Sequence, residues 1–298
     1  MTVTGKMRKL IKTIFRRFGY RIVADRNLGP SLQFLDDPLD VIYSGLHIDR
    51  AAVCVDLWKC SNYTGLTYGE EGWHPFASSL MQYRTKRVDY ESSILKKYYE
   101  TWTPANAVDA FITFDSPPAV FRDEPSFAFL SPWHTINVEQ RKKKISDNVR
   151  DENRDEGFGK IGIEQGFSLH GPVSNLKGRI EFDRLLKTFR SIDKHGFRYQ
   201  RFQNLIDGFA LVDGDGEEFR IVVVHGNHRL AALTALGYEK APIRLVPPYV
   251  VRAADVNRWP QVKSKLWSTE EALNYFESFF SAHSKIRNWA EARNLRRS

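Results

Sequence analysis

Four consecutive residues, Gly226, Asn227, His228 and Arg229, have the types and spacing to bind an anion. They follow a β-branched run at 219–224 and precede Leu230-Ala231-Ala232-Leu233, which has helical character and stops at Gly237. A strand that feeds directly into a helix leaves the first backbone N–H groups of that helix without intrahelical acceptors. With the positive end of the helix dipole, those groups attract an anion without any side chain. Gly226 permits close approach of a phosphate. His228 and Arg229 add donors, and Arg229 is permanently charged and can grip two oxygens at once. The plainer alternative is a capped helix start with a salt bridge, because four-residue matches are common. His225 and His228 have a metal-compatible spacing, but the sequence places no third ligand beside them.

The elements that must position this turn are legible around it. Residues 181–195 predict a helix with Phe182, Leu185, Leu186, Phe189 and Ile192 on one face and Gly196 as its stop. Strands are expected at 198–203 and 209–212, then the turn Asp213-Gly214-Asp215-Gly216, whose carboxylates lack the distal Glu of a calcium loop. A strand at 219–224, a helix at 228–236 and a last strand at 241–246 complete the unit.

The helix 181–196, the run Val224-His225-Gly226-Asn227-His228-Arg229 with its small-residue helix, and Ala241-Pro242-Ile243-Arg244 together resemble the ParB/sulfiredoxin superfamily. The resemblance covers about a quarter of the chain. It implies an α/β (α+β) fold, a small mixed sheet with packed helices, that binds ATP (or CTP) with Mg²⁺. It also implies contacts to the nucleotide from Arg184, Lys187 and Ser191 on the exposed face of the preceding helix; an ordinary solvated face is the alternative. The sulfinic-acid reductases of that superfamily carry a cysteine where this chain has Asn227, so reduction is not supported. The kinase branch that phosphorylates free serine carries an Asp where this chain has His225, which leaves its catalytic carboxylate in doubt. Partition proteins add a helix-turn-helix domain, for which residues 251–298 are too few.

Candidate bases for an acceptor hydroxyl are Glu181 and Asp183 at the start of the helix. The stretch 170–178 is expected as a loop over the site, with Ser174 and Lys177 as further phosphate contacts.

The remainder of the chain is less explicit. Residues 5–19 form a basic amphipathic pattern without an acidic residue, suited either to an anionic membrane surface or to docking on the protein itself. Residues 26–138 are aromatic-rich and mainly helical by pattern, with a helix from His74-Pro75 and another at 90–102 whose aromatic stripe reads as core. Residues 139–165 carry mixed charge and read as a solvated helix or linker. Ser268 to Glu271 is a capping box that opens a C-terminal helix. The expected organisation is therefore 1–25, 26–138, 139–165, 166–250 for the nucleotide-binding domain, and 251–298.

Composition limits the classes. Hydrophobic residues are 42% and charged residues 27%, which argues against disorder. No run of about 18 apolar residues is present, so no transmembrane helix is expected. Neither is a signal peptide. Cys54 and Cys60 have no common redox or zinc spacing, which fits a reducing cytoplasm. The net charge of +8 suits a phosphate-bearing partner. The reading is a cytoplasmic protein, peripheral on the inner membrane face if residues 1–19 bind there, with ATP-dependent phosphoryl transfer to a small or glycan-linked hydroxyl acceptor. The alternatives are a nucleic-acid-binding or nuclease-like protein, and a nucleotide-gated binding module without turnover.

Overall fold

The computed structural model describes residues 32–42, 50–155, 157–199 and 205–295. The basic helix expected in 1–25 and most of the strand expected at 198–203 lie outside them. The strands are β1 (Gln33–Leu35), β2 (Ala51–Asp56), β3 (Cys60–Ser61), β4 (Ile206–Val212), β5 (Phe219–His225) and β6 (Lys240–Arg252). They form one mixed α/β sheet in the order β1-β2-β6-β4-β5-β3. β2 runs antiparallel to β6, β6 parallel to β4, and β4 antiparallel to β5.

Two features of the sheet differ from the sequence reading. Residues 26–138, expected as mainly helical, supply β1, β2 and β3. Ala51-Ala52-Val53-Cys54-Val55 is short and nearly continuous in apolar character, the pattern of a covered strand, and only its pairing with β6 reveals it. β6 also runs past the expected end at Val246. Its register on β4 jumps from Gly208↔Leu245 to Ala210↔Val250, so residues 246–249, with Pro247 and Pro248, bulge out and pairing resumes beyond them.

The α-helices are α1 (Pro75–Lys86), α2 (Ile94–Thr101), α3 (Val138–Asp155), α4 (Asn175–His195), α5 (Asn227–Leu236), α6 (Pro260–Lys263), α7 (Thr269–Ser278) and α8 (Ala282–Ala292), with short 3-10 turns between elements. The central strand β4 is buried throughout, and its side chains alternate between two cores. Ile206, Ala210 and Val212 join Phe182, Leu185 and Phe189 of α4, Leu230 and Leu233 of α5, and the Ile94/Leu95/Tyr98/Tyr99 stripe of α2. Phe209 and Leu211 join an aromatic layer built from Phe129, Trp133, Trp267, Tyr275 and Phe276. The stripe of α2 is thus core, as its spacing predicts.

Two local details set the site's position. α4 begins at Asn175, well before the expected Glu181, because the Ser174 hydroxyl accepts from Lys177 N at 3.2 Å and caps it. The segment expected as a loop over the site is therefore partly helix. Gly178 lets α4 meet the Tyr90 ring, since a Cβ there would fall 1.9 Å from Tyr90 Oη. The charged segment 139–165 carries α3, whose Ile145 and Val149 pack on Phe167 and Leu169.

Candidate functional site

The turn between β5 and α5 has the geometry an anion needs. Gly226 has φ 96° and ψ 20°, a left-handed conformation that other residues adopt only with strain. A Cβ there would also press to 3.2 Å against Ile206. No side chain caps the helix. Its first helical bond runs from Leu230 N to Gly226 O at 2.9 Å, so the N–H groups of Asn227, His228 and Arg229 precede every intrahelical bond. These residues border a cavity of about 550 Å³ between α4 and α5. Gly226, Asn227, His228, Arg229, Glu181, Arg184, Lys187 and Ser191 all line it, so eight of the residues singled out from sequence share one concave surface.

Ser174 and Lys177 do not line it. Ser174 spends its hydroxyl on the α4 cap, and Lys177 is 1% exposed behind the cavity wall. Both, expected as phosphate contacts, instead make contacts within and behind α4. Lys177 Nζ donates to Asn153 Oδ1 at 2.7 Å and lies 3.6 Å from Glu181 Oε2, while Asn153 Nδ2 donates to the carbonyl of Ile161 at 2.8 Å. This cation ties α4 to α3 from inside.

Glu181 is 2% exposed and is the hub of the site's charges. Its Oε1 lies 2.7 Å from His228 Nε2. Its Oε2 meets Arg184 at 3.3 Å. Burial alone pushes the carboxyl upward, but His228, Arg184 and Lys177 outweigh it and hold the group well below the usual carboxylate range. A carboxylate so stabilised is a weak proton acceptor. Glu181, expected as the catalytic base, thus lies on the cavity with its carboxylate engaged by His228 and Arg184. The imidazole is fixed from the other side by the Phe76 ring, stacked at 4.9 Å. Asp183, the other candidate base, is exposed and outside the lining.

Arg229 bends under the turn and donates from Nη1 to the carbonyl of Leu205 at 2.6 Å. Burial lowers its pKa and the nearby Asp207 opposes that shift. Asp207 itself is gripped by Arg244 through two bonds of 2.8 and 2.9 Å. Lys187 and Ser191 sit exposed on the α4 face toward the cavity, with Arg198 and His195 further along. Glu152 of α3 reaches the rim, 47% exposed and 3.7 Å from Arg184. His225 is exposed on the lining, and no cluster of three or more metal-ligating side chains occurs among the described residues.

Several contributions escaped sequence reading. Tyr98 and Tyr99 donate to the carbonyls of Leu169 and Ser168, which pins the loop that walls the cavity. Tyr68 Oη donates to Asn227 Oδ1 at 2.8 Å across 159 residues of chain. His74 was legible as a helix start, and its Nδ1 does accept from Phe76 N, but its second contact, to Tyr68, left no local signal. Comparison with protein-family models, with curated proteins and with solved structures returned no match.

Proposed function

We propose that the cavity between α4 and α5 binds the phosphates of a nucleotide, ATP (or CTP) with its Mg²⁺, in a domain of ParB/sulfiredoxin type. We further propose that the protein passes the terminal phosphoryl group to a small or glycan-linked hydroxyl. One observation carries the reading: an uncapped helix start with a left-handed glycine opens into a cavity lined by Arg184, Lys187, Arg198, Arg229 and His228. Such a surface concentrates positive potential where water is partly excluded, which favours a polyanion. In this reading Mg²⁺ arrives with the phosphates, since the ion is usually held by one or two carboxylates plus substrate oxygens. Glu152, the partly exposed carboxylate on the rim, suits both that contact and receipt of the acceptor's proton.

A second reading, nucleotide binding without turnover, is favoured by a specific feature. The carboxylate beside the phosphate-binding turn, Glu181, is committed to His228, Arg184 and Lys177. One calorimetric and kinetic series separates the two. Mg²⁺·ATP should bind the wild type, and Arg229→Ala should weaken it by about ten- to a hundredfold, the effect of one charge-assisted contact worth about 1.5–3 kcal/mol. Lys187→Ala, at an exposed position, should weaken binding less and leave the fold intact. ADP release that is present in the wild type and lost in Glu152→Gln supports transfer; tight binding with no ADP from any acceptor supports the module. Absence of ATP and CTP binding to the wild type overturns both.

A further inference from the structure

A chain of three polar side chains runs from the buried interior to the cavity, and its chemistry dictates which end of the Asn227 amide faces a ligand. His74 is 1% exposed, and its Nδ1 accepts the Phe76 N–H at the start of α1. Burial, and then the charge of His228, push its pKa down to about 3, so the ring is neutral at ordinary pH. A neutral imidazole that accepts at Nδ1 carries its proton on Nε2. That nitrogen lies 3.1 Å from Tyr68 Oη, and the two rings stack at 4.4 Å. A protonated Nε2 cannot accept from Tyr68, so the hydroxyl's own proton is left for another partner. The hydroxyl donates to Asn227, 2.8 Å away, and the receiving atom must be the amide oxygen. The Asn227 NH₂ is then turned away from Tyr68, and Asn227 lines the cavity. No other described side chain engages this amide.

We propose that Asn227 is a ligand-binding donor whose NH₂ hydrogen-bonds a phosphoryl oxygen, and that Tyr68 and His74 are positioning residues that hold the amide in that orientation. The inference rests on the phosphate-binding reading of the cavity and deepens it. A neutral donor complements the backbone N–H groups without adding a cation beside Glu181. Without Tyr68 the amide is free to flip, and half of its orientations would present an acceptor to an anion. The relay also explains why a tyrosine hydroxyl and an imidazole lie buried beneath a helix start that no side chain caps.

The test uses the full-length protein and inorganic pyrophosphate. Its affinity is measured by calorimetry for wild type, Asn227→Asp and Tyr68→Phe, and the side-chain amide of Asn227 is followed by ¹⁵N NMR. Pyrophosphate should shift the Asn227 NH₂ signals of the wild type. Asn227→Asp keeps an acceptor for Tyr68 but presents a negative charge, and should weaken binding by about tenfold or more. Tyr68→Phe should weaken it by a few fold and reduce the NH₂ shift. If Tyr68→Phe fails to fold, the wild-type NMR response and Asn227→Asp still decide. Pyrophosphate that shifts the backbone amides at 226–229 but not the Asn227 NH₂, with equal affinity in Asn227→Asp, overturns this inference and leaves the site standing. No binding of pyrophosphate to any form overturns the phosphate reading and this inference with it.

Discussion

The two faces of the sheet bury very different material. On one, Trp133, Trp267, Tyr275, Phe276 and Phe279 interlock, and their polar atoms are met mainly by backbone, as where Trp267 Nε1 donates to Leu130 O at 3.0 Å. On the other, α4 and α5 bury Lys177 and Glu181, with His228 and Arg184 drawn in beside them. A close-packed aromatic layer stabilises through area and shape. Buried ions contribute little net stability and often cost it, because desolvation competes with attraction. On the cavity face a buried cation meets a buried carboxylate, whereas the buried Arg141 and Arg220 of the aromatic side lie over the Tyr63 and Phe280 rings, and that pairing suits the charges to the cavity.

The largest effect should come from breaking the charge pair at one end. Glu181→Leu leaves Lys177 buried with only Asn153 as a partner, and should destabilise by about 3–5 kcal/mol in urea denaturation. Adding Lys177→Met should recover much of that loss, since the uncompensated charge then disappears. A double variant as unstable as the sum of the two single changes would show that the pair is not a unit, and the contrast between the faces would lose its basis.

Acid should sharpen the comparison, since each face holds a histidine kept neutral. His74 lies on the site face and His134 under the aromatic one, where its Nδ1 accepts from Ser131 N at 2.9 Å. Burial first, then nearby cations, push His134 down to about 3, as burial and His228 do for His74. The unfolded chain takes up these protons near 6.5 and the folded chain only near 3, so each contributes stability that is complete above 6.5 and is lost as pH falls toward 3. Glu181 acts lower. Its folded-state pKa is depressed from the ordinary 4.5, so its contribution is present above that value and fades below it. His134→Asn should flatten the stability profile between pH 6.5 and 3, whereas Glu181→Gln should lower stability above about 4.5 and remove the acid slope below it. An unaltered slope in His134→Asn would mean that this ring is not held neutral.

How much of this was written in the sequence depends on the range of the interaction. The strand–Gly226–helix unit and the cavity-facing spacing of Arg184, Lys187 and Ser191 were legible, because both follow from local periodicity. The capping box Ser268/Glu271 was legible for the same reason and is present. β2 and β3 were not, since a five-residue apolar run becomes a strand only when a partner 190 or so residues away accepts it. The roles of Tyr68, Asn153 and Glu152 are likewise set by distant partners. Lys177 illustrates a harder limit. Its type and its nearness to the motif suggested a phosphate contact, but burial reversed its direction, and burial is a property of packing that no local pattern carries.

The smallest expected effect separates those two meanings for Ser174, one residue turn before Lys177. A serine that grips phosphate and a serine that caps a helix lose different things on truncation. Ser174 Oγ accepts from Lys177 N at 3.2 Å, and Ser268 Oγ accepts from Glu271 N at 3.1 Å on the opposite face of the sheet. Both are helix caps, each worth about 1 kcal/mol. Ser174→Ala and Ser268→Ala should therefore cost about the same stability in urea denaturation, and neither should alter pyrophosphate affinity. Ser268 supplies the control, because it stands far from the cavity and can act only through the helix it caps. A loss of affinity in Ser174→Ala that is missing from Ser268→Ala would return Ser174 to the phosphate-binding surface, and would require the start of α4 to move toward the cavity when ligand binds.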